Sequence, residues 1–379
     1  MTAPLIYEPW FERSEYEARL ARVQVQIRNK GLDGLLAFQP ETVTWLTGFF
    51  TRGYGSFQLA VIPAEGAPVL ICRDVEEYYL DATCIFPDRA MWSDSDDPVI
   101  VAAQAIARVL GTTAQVGIEA DAWPLSVARY EALRAALPGY GFRDESALAA
   151  TMRLIKSPAE IALQRHAAKA AEAGMQAAID SAGIGVSERE MAAEICAAMI
   201  RAGSDLPGPG VMSSGERAFH LHGGYSDRML ARGDLVQIET TPNHRHYHAR
   251  FMRPIRVAEA SEADQRIVER LIAIQDAALA EVRPGVPASV PDAIYRDGIL
   301  SEGLRGSYTN KTFYSVGLLL QPAGGEKLEA TPGCDWSFAE GMTFHTYVLA
   351  RGFGMSETIA ITTEGYERLT TFSRQLFIT

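Results

Sequence analysis

The chain has little cysteine. Its four residues (Cys72, Cys84, Cys196 and Cys334) are scattered through 379 positions and form no CxxC pair. That excludes a disulfide scaffold and a thiolate metal knuckle, and it matches reduced thiols in a cytoplasmic protein. No run of about 18 apolar residues occurs, so no membrane-spanning helix is expected. The start, MTAPLIYEPWFERSEYEARL, lacks the basic-then-apolar pattern of a secretory signal. Positive charge is also short, with 35 Lys and Arg against 47 Asp and Glu, a formal net charge of −12. This balance speaks against nucleic acid or an anionic membrane as partner and leaves a small molecule as the expected one. Repeats and low-complexity linkers are absent. What is present, 47% hydrophobic and 22% charged residues, is a globular composition.

The length is too great for one ordinary core and predicts two domains. Residues 13–31 read as an amphipathic helix, with Tyr16, Leu20, Val23 and Ile27 at three- and four-residue spacing and Gly31 ending the run. GLLAF reads as a buried strand followed by a turn at Gln39-Pro40. QLAVIP and PVLICR read as a hairpin, and a helix, a strand and a second helix follow. This alternation predicts a small α/β domain over 1–155. The boundary shows in Ser157-Pro158-Ala159-Glu160, a capping box with proline at the first helical position. Ser187-Glu188-Arg189-Glu190 is a second capping box. From 156 to 379, helices mix with strand-like LVQIETTP, HYHARFMRPIRV, TFYSVGLLL, MTFHTYVLA and SETIAIT, which predicts an α+β domain.

Five of the seven histidines lie between His220 and His248. LVQIETTP meets HYHARFMRPI through Pro242-Asn243, which suits a hairpin and would bring Glu239 near residues 247–253. His244, His246 and His248 alternate and would share one strand face. Three such imidazoles can hold zinc, or they can form a polar, hydrogen-bonded face, and both readings stand at this point. His222, ahead of Gly223-Gly224, is a candidate proton donor, because imidazole titrates near neutral pH and glycine lets a ligand approach closely. Glu239 ends the apolar run LVQIE. A carboxylate buried there needs a cation, and Arg250 or Arg253 can supply it. Glu357 likewise opens an apolar strand.

These segments resemble the creatinase and aminopeptidase P superfamily, the pita-bread fold. The motifs are MRLIKSPAEIALQRHA, HLHGG, ARGDLVQIE, GMTF and SETIAIT, so the resemblance runs along essentially the whole chain. It implies an α+β fold: a C-terminal pita-bread domain preceded by a smaller α/β creatinase-type domain. In the metallopeptidase branch two aspartates, one histidine and two glutamates hold two metal ions. In register, the aspartates fall on Glu239 and Arg250, the histidine on Tyr314, and the glutamates on Tyr347 and near Ser356 and Glu357. A further histidine falls on about Gln321. Arginine has no lone pair to donate, so the resemblance in detail is to the metal-free branch of creatinase and ectoine hydrolase. The second of these carries a glutamate at the place of Glu239.

What the resemblance implies is metal-independent hydrolysis of an amidine, guanidine or cyclic amide C–N bond in a small zwitterionic metabolite, with no cofactor. His222, Glu239 and Glu357 are the expected catalytic groups. His248, Arg250, Arg253, Tyr314 and Tyr347 are the expected substrate contacts. Relatives of this kind are commonly homodimers that share the active site across subunits. A homodimer is therefore expected here, with Arg52 in TGFFTRGYGSFQ reaching the partner's site beside Phe49 and Tyr54. The competing readings are a metal-dependent Xaa-Pro-type peptidase with unusual ligands, a metalloenzyme using the histidine cluster, and a non-catalytic binding protein on a retired hydrolase scaffold.

Overall fold

The structure, a computed structural model, describes residues 8–208, 210–320 and 325–379. It divides into two compact units, Met1–Arg153 and Leu154–Thr379.

In the N-terminal unit the helix α1 (Arg13–Asn29) buries Tyr16, Leu20, Val23 and Ile27, the stripe that its spacing dictates. It is followed by β1 (Gly34–Ala37), α2 (Pro40–Thr47), β2 (Leu59–Pro63), β3 (Val69–Arg73), α3 (Glu77–Thr83) and β4 (Arg89–Trp92). Next come α4 (Pro98–Leu110), β5 (Ala114–Ile118), α5 (Val127–Ala136), β6 (Tyr140–Asp144) and α6 (Ser146–Arg153). The six strands form one mixed sheet in the order β4-β3-β2-β1-β5-β6. The β2–β3 hairpin is the one that the sequence predicts. The turn expected at Gln39-Pro40 is instead the start of α2, with proline at its first position. The buried Glu119 stabilises that start, accepting from the Gln39 N–H (2.7 Å) and the Thr42 hydroxyl (2.7 Å).

The C-terminal unit begins with α7 (Pro158–Ser181) and α8 (Glu188–Arg201), and both predicted capping boxes are formed. Then follow β7 (Met212–Ser214), β8 (Leu235–Thr240), β9 (Asn243–His244), β10 (Tyr247–His248), β11 (Phe251–Arg256), α9 (Glu262–Leu279) and α10 (Ser289–Ser301). The chain ends with β12 (Phe313–Ser315), β13 (Glu329–Ala330), β14 (Thr343–Ala350), β15 (Phe353–Ile361), β16 (Tyr366–Arg368) and β17 (Phe377–Ile378). Two sheets result, β17-β11-β8-β7 and β13-β12-β14-β15-β16. Ala171, Met175, Met191 and Ile195 of α7 and α8 pack on Val236, Ile238, Phe251 and Ile255 of the first sheet. Leu271, Ile274, Tyr295 and Ile299 of α9 and α10 pack on Phe313, Phe344, Val348 and Met355 of the second. Each sheet is thus sealed on one face by a helix pair, and the other faces are left to build a site.

One local expectation is overturned. β8 pairs with β11, Glu239 opposite Met252, but the chain between them does not turn at Pro242-Asn243. It runs out into a small ribbon, β9 with β10, whose tip is Arg245 and His246. Both tip residues have positive φ (49° and 58°), the two-residue turn whose twist matches that of a hairpin. His244, His246 and His248 therefore do not line one strand face. His246 sits in the turn. His244 Nδ1 lies 3.0 Å from the Gly203 carbonyl, and His248 Nε2 lies 3.1 Å from the Leu319 carbonyl.

Candidate active site

Val236 and Ile238 enter the helix-covered core, so the alternation of β8 turns Gln237 and Glu239 to the opposite face. There β11 meets β15 through side-chain hydroxyls. The Met252 N–H donates to Ser356 Oγ (2.7 Å), the Arg250 N–H to Thr358 Oγ1 (2.8 Å), and Thr358 Oγ1 returns a bond to the Arg250 carbonyl (2.8 Å). In the second sheet Tyr314 stands opposite His345, His345 opposite Thr358 and Tyr347 opposite Ser356, so these side chains share one face.

The result is a buried polar cluster. Arg250 Nη1 lies 3.9 Å from Glu239 Oε1 and donates to the Tyr314 hydroxyl at 3.2 Å. His345 Nε2 lies 3.9 Å from the same carboxylate oxygen and 2.7 Å from Ser356 Oγ. The His345 ring stacks on Tyr347 and meets the edge of Tyr314. Glu239 is 6% exposed, Arg250 and Tyr314 are 7%, and His345 is fully buried. Yet Glu239 Oε1, Arg250 Nε, His345 Nδ1 and His248 Nδ1 have no hydrogen-bond partner among the described residues. Unsatisfied groups at this depth cost about 1–3 kcal/mol each, a cost that a polar ligand would remove.

Electrostatics follow from this packing. Burial pushes the Glu239 carboxyl above its ordinary value, and Arg250, His222 and the Tyr314 hydroxyl pull against that rise. Burial raises the Tyr314 phenol, as it does that of Tyr347. Burial, reinforced by Arg250, drives the His345 imidazole well below its usual range and His248 down to about 3. Both are neutral at physiological pH.

Most of the expected site residues meet here. Glu239, Arg250, Tyr314 and Tyr347 are in the cluster, and His248 is close enough to feel the Arg250 charge. His222 is exposed, on the loop after β7, with φ of 62°, and close enough for its charge to favour the ionised form of Glu239. Glu357 and Arg253 are corrections. Glu357 stands opposite Thr346, on the face of β15 turned away from Ser356 and the cluster. There it accepts from Arg253 (2.8 Å) and the Thr370 hydroxyl (2.6 Å). The fully buried Arg253 also donates to the carbonyls of Met252, Ser356, Phe372 and Ser373, so it has no donor left for a substrate. This pair is an internal strut. Arg52 is carried by the N-terminal unit, exposed on the turn after α2. Gln321 lies outside the described residues. Sequence reasoning missed His345, although a histidine two positions before Tyr347 in the strand MTFHTYVLA must share its face.

The description "Metallopeptidase family M24" matches residues 162–363, and "Creatinase/Prolidase N-terminal domain" matches residues 19–155. The chain belongs to metallopeptidase family M24. This M24 protein is 27% identical to the ectoine hydrolase of Halomonas elongata over 97% of its own length and 98% of that protein. It is 32% identical to the Xaa-Pro dipeptidase of Pyrococcus horikoshii over 59% of its length and 65% of that protein. The crystal structure of the prolidase from Pyrococcus horikoshii superposes with a TM-score of 0.83 at 23% identity, covering 94% of this chain and 99% of that one. The fold is therefore the creatinase-type N-terminal domain followed by the pita-bread domain, and the protein is a hydrolase of this family.

The family name implies metal, and the cluster can be tested for its fit. Among the described residues no group of three or more His, Cys, Asp or Glu side chains could hold a metal ion. At the centre of the cluster a guanidinium, which has no lone pair to offer, lies against the single carboxylate. The high-lying phenols of Tyr314 and Tyr347 are poor anionic ligands. The side chains present do not fit a carboxylate-held metal pair.

Proposed function

We propose that the protein is a metal-independent hydrolase of a C–N bond in a small zwitterion, an amidine, guanidine or cyclic amidine that also carries a carboxylate, in the manner of an ectoine hydrolase. The observation that carries this reading is the opposed pair Glu239 and Arg250. Both are buried, and each keeps an unpartnered atom, Oε1 on one and Nε on the other. A zwitterion satisfies both at once: its delocalised cation meets Glu239 and its carboxylate meets Arg250, each through charge-assisted hydrogen bonds.

In the reaction Glu239 holds the cationic carbon centre and accepts a proton from the attacking water, whose oxygen bonds to that carbon. The C–N bond then breaks with its electron pair on nitrogen, and His222 supplies the proton without which nitrogen leaves poorly. Neutral His345 and His248 offer ring nitrogens to the substrate without adding charge, and Tyr347 closes the wall. On the same reading the protein is a cytoplasmic homodimer, with Arg52 reaching the partner's site.

The test is a mass-spectrometric turnover panel of ectoine, hydroxyectoine, creatine and related amidines, beside Xaa-Pro dipeptides, with metal analysis of the same sample. Turnover of an amidine, unchanged by EDTA, is expected. Cleavage of the dipeptides only, lost to EDTA and restored by added metal, would establish the peptidase reading instead.

A further inference from the structure

The loop that carries His222 leaves β7 at Ser214 and returns at Ser226, and a single buried carboxylate holds both ends. Glu188, the first residue of α8, is fully buried. Its Oε1 accepts from the Ser214 N–H (2.9 Å) and hydroxyl (2.6 Å). Its Oε2 accepts from the Ser226 N–H (2.8 Å) and hydroxyl (2.7 Å), and from the Arg217 guanidinium. Arg217 reaches on to the Gly224 carbonyl (3.2 Å) and Ser226 Oγ (3.1 Å). The backbone adds Glu188 N–H to Arg228 O (3.0 Å), Arg189 N–H to Ser226 O (3.1 Å) and Met212 N–H to Gly223 O (2.9 Å). Inside this clamp His222 is exposed and sits at φ of 62°, a region that a non-glycine residue occupies only when its surroundings hold it.

A carboxylate that has lost its water is stable only because five donors replace it, and it sits at the N-terminus of α8, where the helix favours negative charge. This set of contacts fixes the two ends of the loop more firmly than α8 itself requires, since the Ser187–Glu190 capping box already closes that helix. We infer that Glu188 is a positioning residue for His222: with Arg217 and Ser226 it holds the loop in the one conformation that presents the imidazole to Glu239. The inference rests on the proposed role of His222, but the conformational part can be read without a substrate.

Glu188→Gln turns an acceptor into a donor facing other donors and can unfold α8, so the decisive variants are the milder Ser226→Ala and Arg217→Leu. In each, hydrogen exchange over residues 214–226 should speed up at least tenfold, with α7 and β8 unchanged, and the His222 imidazole proton signals should shift. With a substrate in hand, kcat should fall about tenfold at unchanged KM. On a His222→Ala background Ser226→Ala should add no further loss. If exchange, the His222 signals and kcat all stay as in the wild type, the inference is wrong. If both variants lower kcat equally with and without His222, Glu188 acts on the fold and not through His222. If the wild type turns over nothing in the panel, the reaction scheme fails while the exchange result still decides whether the clamp sets the loop.

Discussion

At the scale of single residues the site is an argument about one carboxylate. Glu239 is raised by burial and held down by Arg250, so its charge state belongs to the pair. Glu239→Gln keeps the shape and removes both the negative charge and the proton acceptor. Turnover should fall by at least about 1,000-fold, with circular dichroism unchanged, and full activity in this variant would sink the scheme. Arg250→Met removes the cation that lowers the Glu239 pKa. The sign follows directly: the carboxyl rises further, so more of the enzyme is protonated at a given pH. The acid limb of the kcat/KM profile should move to higher pH by about one unit or more, one unit being about 1.4 kcal/mol. KM for a zwitterionic substrate should rise as well. A limb that stays in place would mean that some other group sets the charge of Glu239.

At the scale of the element the decisive fact is which face of a strand a residue occupies. Ser356 and Glu357 are neighbours, yet one closes the cluster beside His345 and the other is tied to Arg253 behind the sheet. Arg253→Met should therefore destabilise the fold in chemical denaturation by less than the roughly 3–5 kcal/mol of a buried carboxylate left with no cation, because Arg368 and Arg374 remain 3.8 and 3.7 Å from Glu357 Oε1. Its kcat below the melting range should stay within about threefold of the wild type. A loss of kcat at full stability would return Glu357 to the catalytic set. The same parity explains what was legible in advance. α1, the β2–β3 hairpin and both capping boxes follow from periodicity and local hydrogen bonding, whereas the nearness of Glu239 to Arg250 follows from pairing the two apolar strands, although the chain between them turns elsewhere than expected. The turn at Arg245-His246 does not, because two side-chain-bearing residues take positive φ there without glycine to announce it. Pro242-Asn243 looked like a turn by composition. Nor is it visible in the sequence that Glu357 faces away from the cluster, since an acid opening an apolar strand looks the same from either side.

At the scale of the whole molecule, one buried titratable group in each unit, His248 and Glu119, contributes to stability with an opposite dependence on pH. In the C-terminal unit His248 is lowered from an ordinary 6.5 to about 3. Below pH 6.5 the unfolded chain takes up a proton that the folded chain refuses, so stability is complete above 6.5 and is lost as pH falls toward 3. Between pH 7.5 and 5 the loss is about 2 kcal/mol for one such histidine, somewhat less if the partial exposure of His248 lets water in. In the N-terminal unit Glu119, buried where it accepts from Gln39 and Thr42, is raised from 4.5 to about 7. Here the folded chain binds the proton first. The charged form is penalised above pH 7, and the penalty is relieved as pH falls toward 4.5, again by about 2 kcal/mol over the same interval. Because the two effects oppose each other, the wild-type curve conceals both, and the comparison has to be made variant against wild type. Urea unfolding of His248→Gln should show its stability relative to wild type improving from pH 7.5 to 5. Glu119→Gln should show its relative stability worsening over that range, because only the wild type gains a relieved carboxyl. Parallel curves for His248→Gln would mean that water reaches the imidazole and the cluster is not closed. Parallel curves for Glu119→Gln would mean that the α2 cap, with its two donors, keeps the carboxylate ionised despite its burial.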